Sequence, residues 1–454
     1  MDSNPLLQRR AGVLLHPTSL PSGTLNEAEQ WIDWLSHCHF SIWQMLPLSI
    51  PDSHGSPYQS HSAFAMNTAL TGQHTPRPEI HPAEFSRFIE HQSDWLTDFA
   101  LYSILKNKFD DKPWYDWPDE FKSRDEASLL SFQTENLEAI DAVMWHQFDI
   151  FKRWHEIHEY ARGKGIYLFG DLPIFVALDS SDVWSNPEQF LLDDELKPVY
   201  IAGVPPDYFS ETGQRWGNPH YNWEQMQGDG FSWWKKRMKH AFESFDIIRI
   251  DHFRGLQASW MIPADAETAI DGFWQEAPGD ELLSALENEF GKPAIVAEDL
   301  GVITDEVKQL RDSHRLPGMS ILQFAFDAFE DNPHKPVNIT PQTVVYSGTH
   351  DNNTSAGWFN GLLANEQKFV FEVLQTAPRQ DIAHCLVEAA FHSNANTAIV
   401  PLQDLLQLDE TARMNTPGQI ENNWQWQFNW EQLDNDTCNY SQQHIDASGR
   451  FNAN

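Results

Sequence analysis

The chain has 454 residues, 41% hydrophobic and 13% aromatic, with a formal charge of −36 from 66 acidic against 30 basic side chains. That length sustains a large core, and an α/β barrel with insertions absorbs it as one domain. The charge repels phosphate backbones and anionic lipid heads, which argues against nucleic acid and membrane surfaces as partners and favours a neutral substrate.

In chain order, short apolar runs recur: AGVLLH (11–16), FSIWQMLPL (40–48), GIYLFGDLPI (165–174), FDIIRIDHF (245–253), AIVAEDLG (294–301), SILQFAFD (320–327), VVYSGTHD (344–351) and TAIVPLQD (397–404). Each ends in polar residues or in Gly and Pro. Brief runs of this kind are what parallel strands buried on both faces require. Helical patterns lie between them, at Gln92–Lys108, Asn136–Gly163, Trp233–Ser244, Asp280–Phe290, Thr304–Ser313 and Gln380–Phe391. Strand–helix alternation predicts parallel βα units, and eight units close a (β/α)8 TIM barrel; a doubly wound open sheet is the structural alternative.

The spacing is uneven. Stretches at about 49–164 and 175–244 exceed one crossover helix and predict insertions forming subdomains over the C-terminal face. Residues 1–433 then make a single barrel domain, and 434–454 a polar, loosely held tail. The stretch 200–223, rich in Gly, Pro and aromatics, reads as a structured loop. Cys38, Cys385 and Cys438 are odd in number, far apart and without CxxC spacing. Neither a disulfide framework nor a zinc site is expected, and a reducing cytoplasm is the default. The polar first ten residues and the short apolar run after them match neither a signal nor a membrane segment. The 19 Trp are divided in expectation between the core and a sugar-binding pocket, where apolar C–H faces stack on aromatic planes.

Barrel enzymes carry their catalytic groups at the C-terminal ends of strands, and three carboxylates fall there: Asp251, Glu298 and Asp351. Arg249 lies two residues before Asp251, on the same strand face, where its guanidinium favours an ionised carboxylate. Glu298 follows an apolar strand, and burial would raise its pKa as a proton donor needs. His350 stands beside Asp351. Each motif alone also has a structural reading, as an ion pair or a turn. Together they match glycoside chemistry, in which two carboxylates flank the bond, one attacking and one donating a proton, and a third stabilises positive charge on the sugar.

At these residues the sequence resembles the amylomaltases, the 4-α-glucanotransferases of glycoside hydrolase family 77. The resemblance is carried by RIDHFRG (249–255), AEDLG (297–301) and THDN (349–352). Further blocks are GVLLHPTSLPSG (12–23), SPYQSHSAFAMN (56–67), FGDLPIFVALDSSDVW (169–184), AGVPPDYFSETGQRWGNPHYNW (202–223) and IVPLQDLLQLDETARMNTPG (399–418). It spans about residues 11–427. It implies a barrel of the α-amylase clan and transfer of α-1,4-glucan segments between maltooligosaccharides through a covalent glycosyl-enzyme, with glucose as a by-product. It implies Asp251 as nucleophile, Glu298 as acid/base, Asp351 as transition-state stabiliser, and Arg249 and His350 as their supports. Ser56, Tyr58, Asp171, Asp207, Tyr208, Glu211, Gln214, Trp216 and Asn415 match positions that would contact the glucan, and the loop 202–219 a flexible cover on the acceptor side. Thr24–Gln30, Gly55 and Met66–Thr68 depart from the family pattern, all in the first two βα loops.

Two other functions use the same residues: an amylase-like hydrolase, and a catalytically inactive glucan-binding protein. No cofactor and no metal is expected, since exchanging one glycosidic bond for another needs neither, and no phosphate cradle or HExxH spacing is present. Monomer and homodimer are both left open.

Overall fold

The computed structural model describes residues 4–73, 75–78, 82–206, 210–379 and 381–451. Among these the chain forms twelve strands: β1 (Arg10–Leu14), β2 (Ile42–Gln44), β3 (Tyr167–Pro173), β4 (Tyr200–Val204), β5 (Gln214–Pro219), β6 (Ile247–Asp251), β7 (Ala258–Pro263), β8 (Phe273–Glu276), β9 (Ile295–Ala297), β10 (Gly318–Ile321), β11 (Thr343–Tyr346) and β12 (Thr397–Pro401). Eight of them form one parallel sheet in the order β10-β11-β12-β1-β2-β3-β6-β9. Its two ends meet where the Ala297 N–H donates to the Pro317 carbonyl at 2.9 Å, making a nearly closed (β/α)8 barrel. All eight apolar runs supply its strands.

The two-residue period of each strand sorts its side chains. Leu14, Ile42, Phe169, Ile247, Val296, Ile321, Val344, Tyr346 and Ile399 pack together inside the barrel. Val13, Trp43, Leu168, Ile248, Ile250, Ile295, Val345 and Ala398 face the surrounding helices. Gly12 takes an inward position where a Cβ would meet Ile399 Cδ1 at 2.6 Å and Ile42 Cβ at 2.7 Å, so even a methyl group would force the wall apart. Continuing the same inward period past Phe169, Ile247 and Val296 reaches Asp171, Arg249, Asp251 and Glu298. These polar side chains thus extend the core pattern to the barrel mouth.

Helices Ser232–Ser244, Gly279–Phe290, Asp305–Ser313 and Ile382–His392 lie at the predicted crossovers. The first insertion contributes helices Leu96–Lys108 and Leu137–Gly163, and the second of these also serves as the crossover into β3. Trp31, Trp43, Trp114, Trp184 and Trp234 are almost wholly buried, so much of the tryptophan is core.

Three expectations are corrected. The stretch 200–223 is not a loop throughout: it supplies β4 and β5 to a second, antiparallel sheet in the order β5-β4-β7-β8. Gly203 permits this pairing, since a Cβ there would lie 2.0 Å from the Gln214 carbonyl oxygen. The C-terminal stretch is not loosely held. Helix Asn435–Ala447 buries Cys438, Ser441 and Ile445 on a narrow stripe. After it the buried Arg450 guanidinium donates to the carbonyls of Phe391, Asn396, Ala395 and Arg10, tying the chain's end to its first strand. Finally, Cys38 and Cys438 form a disulfide across 400 residues, while Cys385 is free and buried. Among the described residues no helix is long and apolar enough to cross a membrane.

Candidate active site

The register between β3 and β6 pairs Asp171 directly with Arg249. Both point inward, and Arg249 Nη1 donates to Asp171 Oδ2 at 2.6 Å while its Nη2 donates to Asp251 Oδ1 at 2.7 Å. One guanidinium therefore fixes two carboxylates in the fork geometry that suits it. Tyr58 donates its hydroxyl proton to the same Asp171 oxygen at 2.7 Å, and His350 Nε2 lies 2.9 Å from the Tyr58 oxygen. Tyr58 has a single proton and a carboxylate only accepts, so His350 Nε2–H is the donor to Tyr58. The two rings stack at 5.5 Å and 12°. Burial lowers the His350 pKa, consistent with a neutral imidazole. This order runs His350 to Tyr58 to Asp171, and Arg249 then joins Asp171 to Asp251.

Asp351 belongs to the loop after β11. Its Oδ1 accepts from Asn415 Nδ2 at 2.6 Å and its carbonyl from Arg413 Nη2 at 2.7 Å. Its carboxylate also lies 3.4 Å from His350 Nε2. Residues more than sixty positions apart thus fix the third carboxylate.

Glu298 follows β9. Its Oε2 accepts from the His252 N–H at 2.7 Å and its Oε1 from the Leu300 N–H at 3.3 Å. His252 reaches this position in the left-handed region, φ 50°, a conformation uncommon for a non-glycine residue and frequent at functional sites. Burial first, then the negative charge of Asp251, raises the Glu298 pKa, which keeps its proton on to higher pH than an ordinary glutamate. Burial also raises Asp251, with Arg249 opposing it. Arg249 favours the ionised form as its spacing suggested, but against a larger opposing effect of burial. The Asp251 side chain keeps 30% of its surface open to the cleft, so solvent shares in favouring that form. The neighbouring Asp299 has a structural role. It accepts from the Met319 N–H at 2.7 Å and pairs with Arg311, bracing β9 against β10.

Asp251, Glu298, Asp351, Arg249, His350, Ser56, Tyr58, Gln214, Trp216 and Asn415 line one cleft of about 540 Å³. Asp171 is buried beneath it. Glu211 sits in an exposed turn before β5, outside the wall of the cleft. Asp207 and Tyr208 lie outside the described residues. Sequence reasoning passed over Trp424, Phe175, His252 and Phe324, which share the wall. Trp424 stands 6.0 Å from the Tyr58 ring and 6.1 Å from His350, and Trp216 meets His252 edge-on at 4.8 Å. None of the four carries a strand-end carboxylate signal, although His252 adjoins Asp251. Among the described residues no group of three or more His, Cys, Asp or Glu is arranged to hold a metal ion.

The chain matches the family model described as 4-alpha-glucanotransferase over residues 14–75 and 69–432. It is 40% identical to the chloroplastic/amyloplastic 4-alpha-glucanotransferase of Arabidopsis thaliana, over 94% of this chain and 82% of that protein. It is also 40% identical to the 4-alpha-glucanotransferase of Thermus thermophilus, over 93% and 95%. The amylomaltase of Streptococcus agalactiae, solved in complex with acarbose, superposes with a TM-score of 0.93 at 33% identity, covering 98% of this chain and all of that one. The amylomaltase of Corynebacterium glutamicum shares the fold, with a TM-score of 0.80 at 17% identity.

Proposed function

Because this chain belongs to the 4-alpha-glucanotransferase family, we propose that it performs its transfer by a retaining double displacement on Asp251, with Glu298 as acid/base and Asp351 as stabiliser. Its activity is 4-α-glucan transfer and its substrates are α-glucans. The proposal concerns how its own residues do this, and on which chains: α-1,4-linked maltooligosaccharides.

The observation that carries the reading is the shared guanidinium of Arg249. It holds Asp251 Oδ1 and leaves Oδ2 as the oxygen to attack the anomeric carbon. Glu298 gives its proton to the departing glycosidic oxygen, so the C1–O bond breaks as the C1–Oδ2 ester forms. The proton belongs on Oε1, whose contact to Leu300 at 3.3 Å is the weaker of the two. The 4-OH of an acceptor glucan then attacks C1 as the Glu298 carboxylate takes the hydroxyl proton, and the C1–Oδ2 bond breaks to release Asp251. Asp351, anchored by Asn415 and facing the same cleft, stabilises the positive charge on the sugar in both steps.

Maltotriose as sole substrate tests the outcome. The expected products are a ladder of longer oligosaccharides together with free glucose. New reducing ends equal in number to bonds cleaved, without longer products, would mean that water and not sugar takes the second step.

The pH profile tests the roles. A raised Glu298 carboxyl keeps the acid form through neutrality, so kcat/KM is expected to fall on the alkaline side as that proton is lost. On the acid side it falls as Asp251, also raised, becomes protonated. The two limbs belong to the pair as a whole, since the groups interact. Glu298→Gln should remove the alkaline limb; an unchanged limb would assign it to another group.

The cytoplasm is part of the proposal as its compartment. There Cys38 and Cys438 are held as thiols and close on oxidation. Acid quenching of intact cells, followed by alkylation under denaturing conditions because all three cysteines are buried, should find all three free; a Cys38–Cys438 pair protected until reduction would place the protein elsewhere.

A further inference from the structure

A second cavity of about 330 Å³ adjoins the catalytic cleft, and Phe324 belongs to the walls of both. It lies between the chain following β10 and the two helices Ser355–Asn360 and Ala364–Val373. Phe326 and Trp358 form its floor, with ring centroids 5.2 Å apart and planes 31° from parallel. Phe369 adds a third, half-buried ring, and Asp327 and Asn365 bring polar groups to the same walls. Phe324 itself is 39% exposed, an aromatic face open to solvent at the junction.

We propose that this groove binds a further stretch of the α-1,4-glucan chain running out of the catalytic cleft; the proposal rests on reading that cleft as the glucan site. The chemistry fits one occupant. A glucan offers apolar C–H faces for the rings and hydroxyl edges for Asp327 and Asn365, and no charge that the acidic surface would repel. The volume lies at the lower end of the roughly 300–1,000 Å³ of small-ligand sites, enough for a short glucan segment. A chain longer than the cleft must leave it, and Phe324 places an aromatic face at the junction of the two walls. The groove is also built onto the catalytic loop. Gln323 Nε2 donates to the Asn353 carbonyl at 2.9 Å, and the helix bearing Trp358 begins four residues after Asp351, capped by Thr354. Its floor is therefore fixed relative to the site.

The groove acts on chain length, so short and long substrates separate it from the cleft. Two variants are used: Phe369→Ala, which removes one ring, and Asn365→Trp, which fills the groove from an exposed position. Neither residue lines the catalytic cleft. Transfer is measured with maltotriose and with amylose for parent and variants. The expected result is a KM for amylose raised about tenfold, the loss of about 1.4 kcal/mol of binding, with kcat unchanged and the maltotriose constants within about twofold of the parent. An unchanged KM for amylose in both variants would overturn the proposal, and so would equal changes on both substrates. If the parent itself fails to turn over maltotriose, the catalytic reading falls on its own. Calorimetric titration with maltoheptaose then decides the groove: weaker binding in both variants supports it, and parental affinity refutes it.

Discussion

Asp251→Asn is expected to lower transfer from maltotriose on the order of 10⁴-fold or more, the scale seen when an essential nucleophile is removed. The amide is nearly the same size as the carboxylate and still offers an oxygen to Arg249 Nη2. Arg249 also keeps its bond to Asp171, so the fold should persist. What is lost is the electron pair that attacks the anomeric carbon. A second consequence follows from charge. The Asp251 carboxylate raises Glu298, so neutralising it should lower the Glu298 pKa, and residual activity should decline at a lower pH than in the parent. Steady-state kinetics across pH measures both effects, and thermal unfolding checks the fold. Activity within about tenfold of the parent would remove Asp251 from the nucleophile's role.

Arg249→Met is expected to cost both activity and stability. The Asp171 side chain is only 1% exposed, and without Arg249 its charge retains only the Tyr58 hydroxyl as a partner among those described above. Breaking a buried ion pair from one side typically costs about 3–5 kcal/mol, because the remaining charge is left uncompensated. Asp251 loses its positioning bond at the same time. Adding Asp171→Asn to Arg249→Met removes the stranded charge, so the double variant should recover much of the stability but none of the transfer. Denaturant unfolding gives the first quantity and the maltotriose assay the second. If the single variant is as stable as the parent, the guanidinium is not the centre of the network.

The barrel was legible because its strands are buried on both faces. That demand makes each strand an unbroken apolar run, and an unbroken run ending in Asp or Glu marks a strand mouth. Asp251 and Glu298 were found that way, as the polar residues where the inward period of Ile247 and Val296 reaches solvent. Asp351 was found likewise, after β11. Other features left no such trace. In the second sheet β8 is exposed along its whole length and β5 is largely polar and exposed; β4 and β7 are apolar and mostly buried, but neither fits the strand–helix alternation that marked the barrel strands. Helix Asn435–Ala447 buries only Cys438, Ser441 and Ile445, a stripe too thin and too polar to read as packed. The Cys38–Cys438 bond spans 400 residues, a distance at which spacing carries no information.

The supporting residues divide in the same way. Arg249 could be inferred from local spacing, since it shares a strand face with Asp251. Asp171, Tyr58 and Asn415 could not. Asp171 meets Arg249 through strand register, Tyr58 reaches it from a loop 113 residues earlier, and Asn415 holds Asp351 from 64 residues later. Family resemblance supplied these three. Their bonds give them a physical reason: each accepts or donates where one of the strand-end carboxylates or its partner is fixed. Trp424 had neither a strand-end position nor a charged neighbour to mark it, and Phe324, three residues past the end of β10, is apolar and reads as part of the strand run; only the shape of the cleft brings them in.

The central claim, that the glucan is carried on Asp251, is tested most directly by trapping the ester. A Glu298→Gln variant given α-maltotriosyl fluoride forms the intermediate without acid assistance, because fluoride leaves readily, and discharges it slowly because no base assists the acceptor. Mass spectrometry of the digested protein should then find a maltotriosyl increment on the peptide carrying Asp251, at that residue. An increment on another residue, or turnover of the fluoride with no adduct under rapid quenching, would contradict the account.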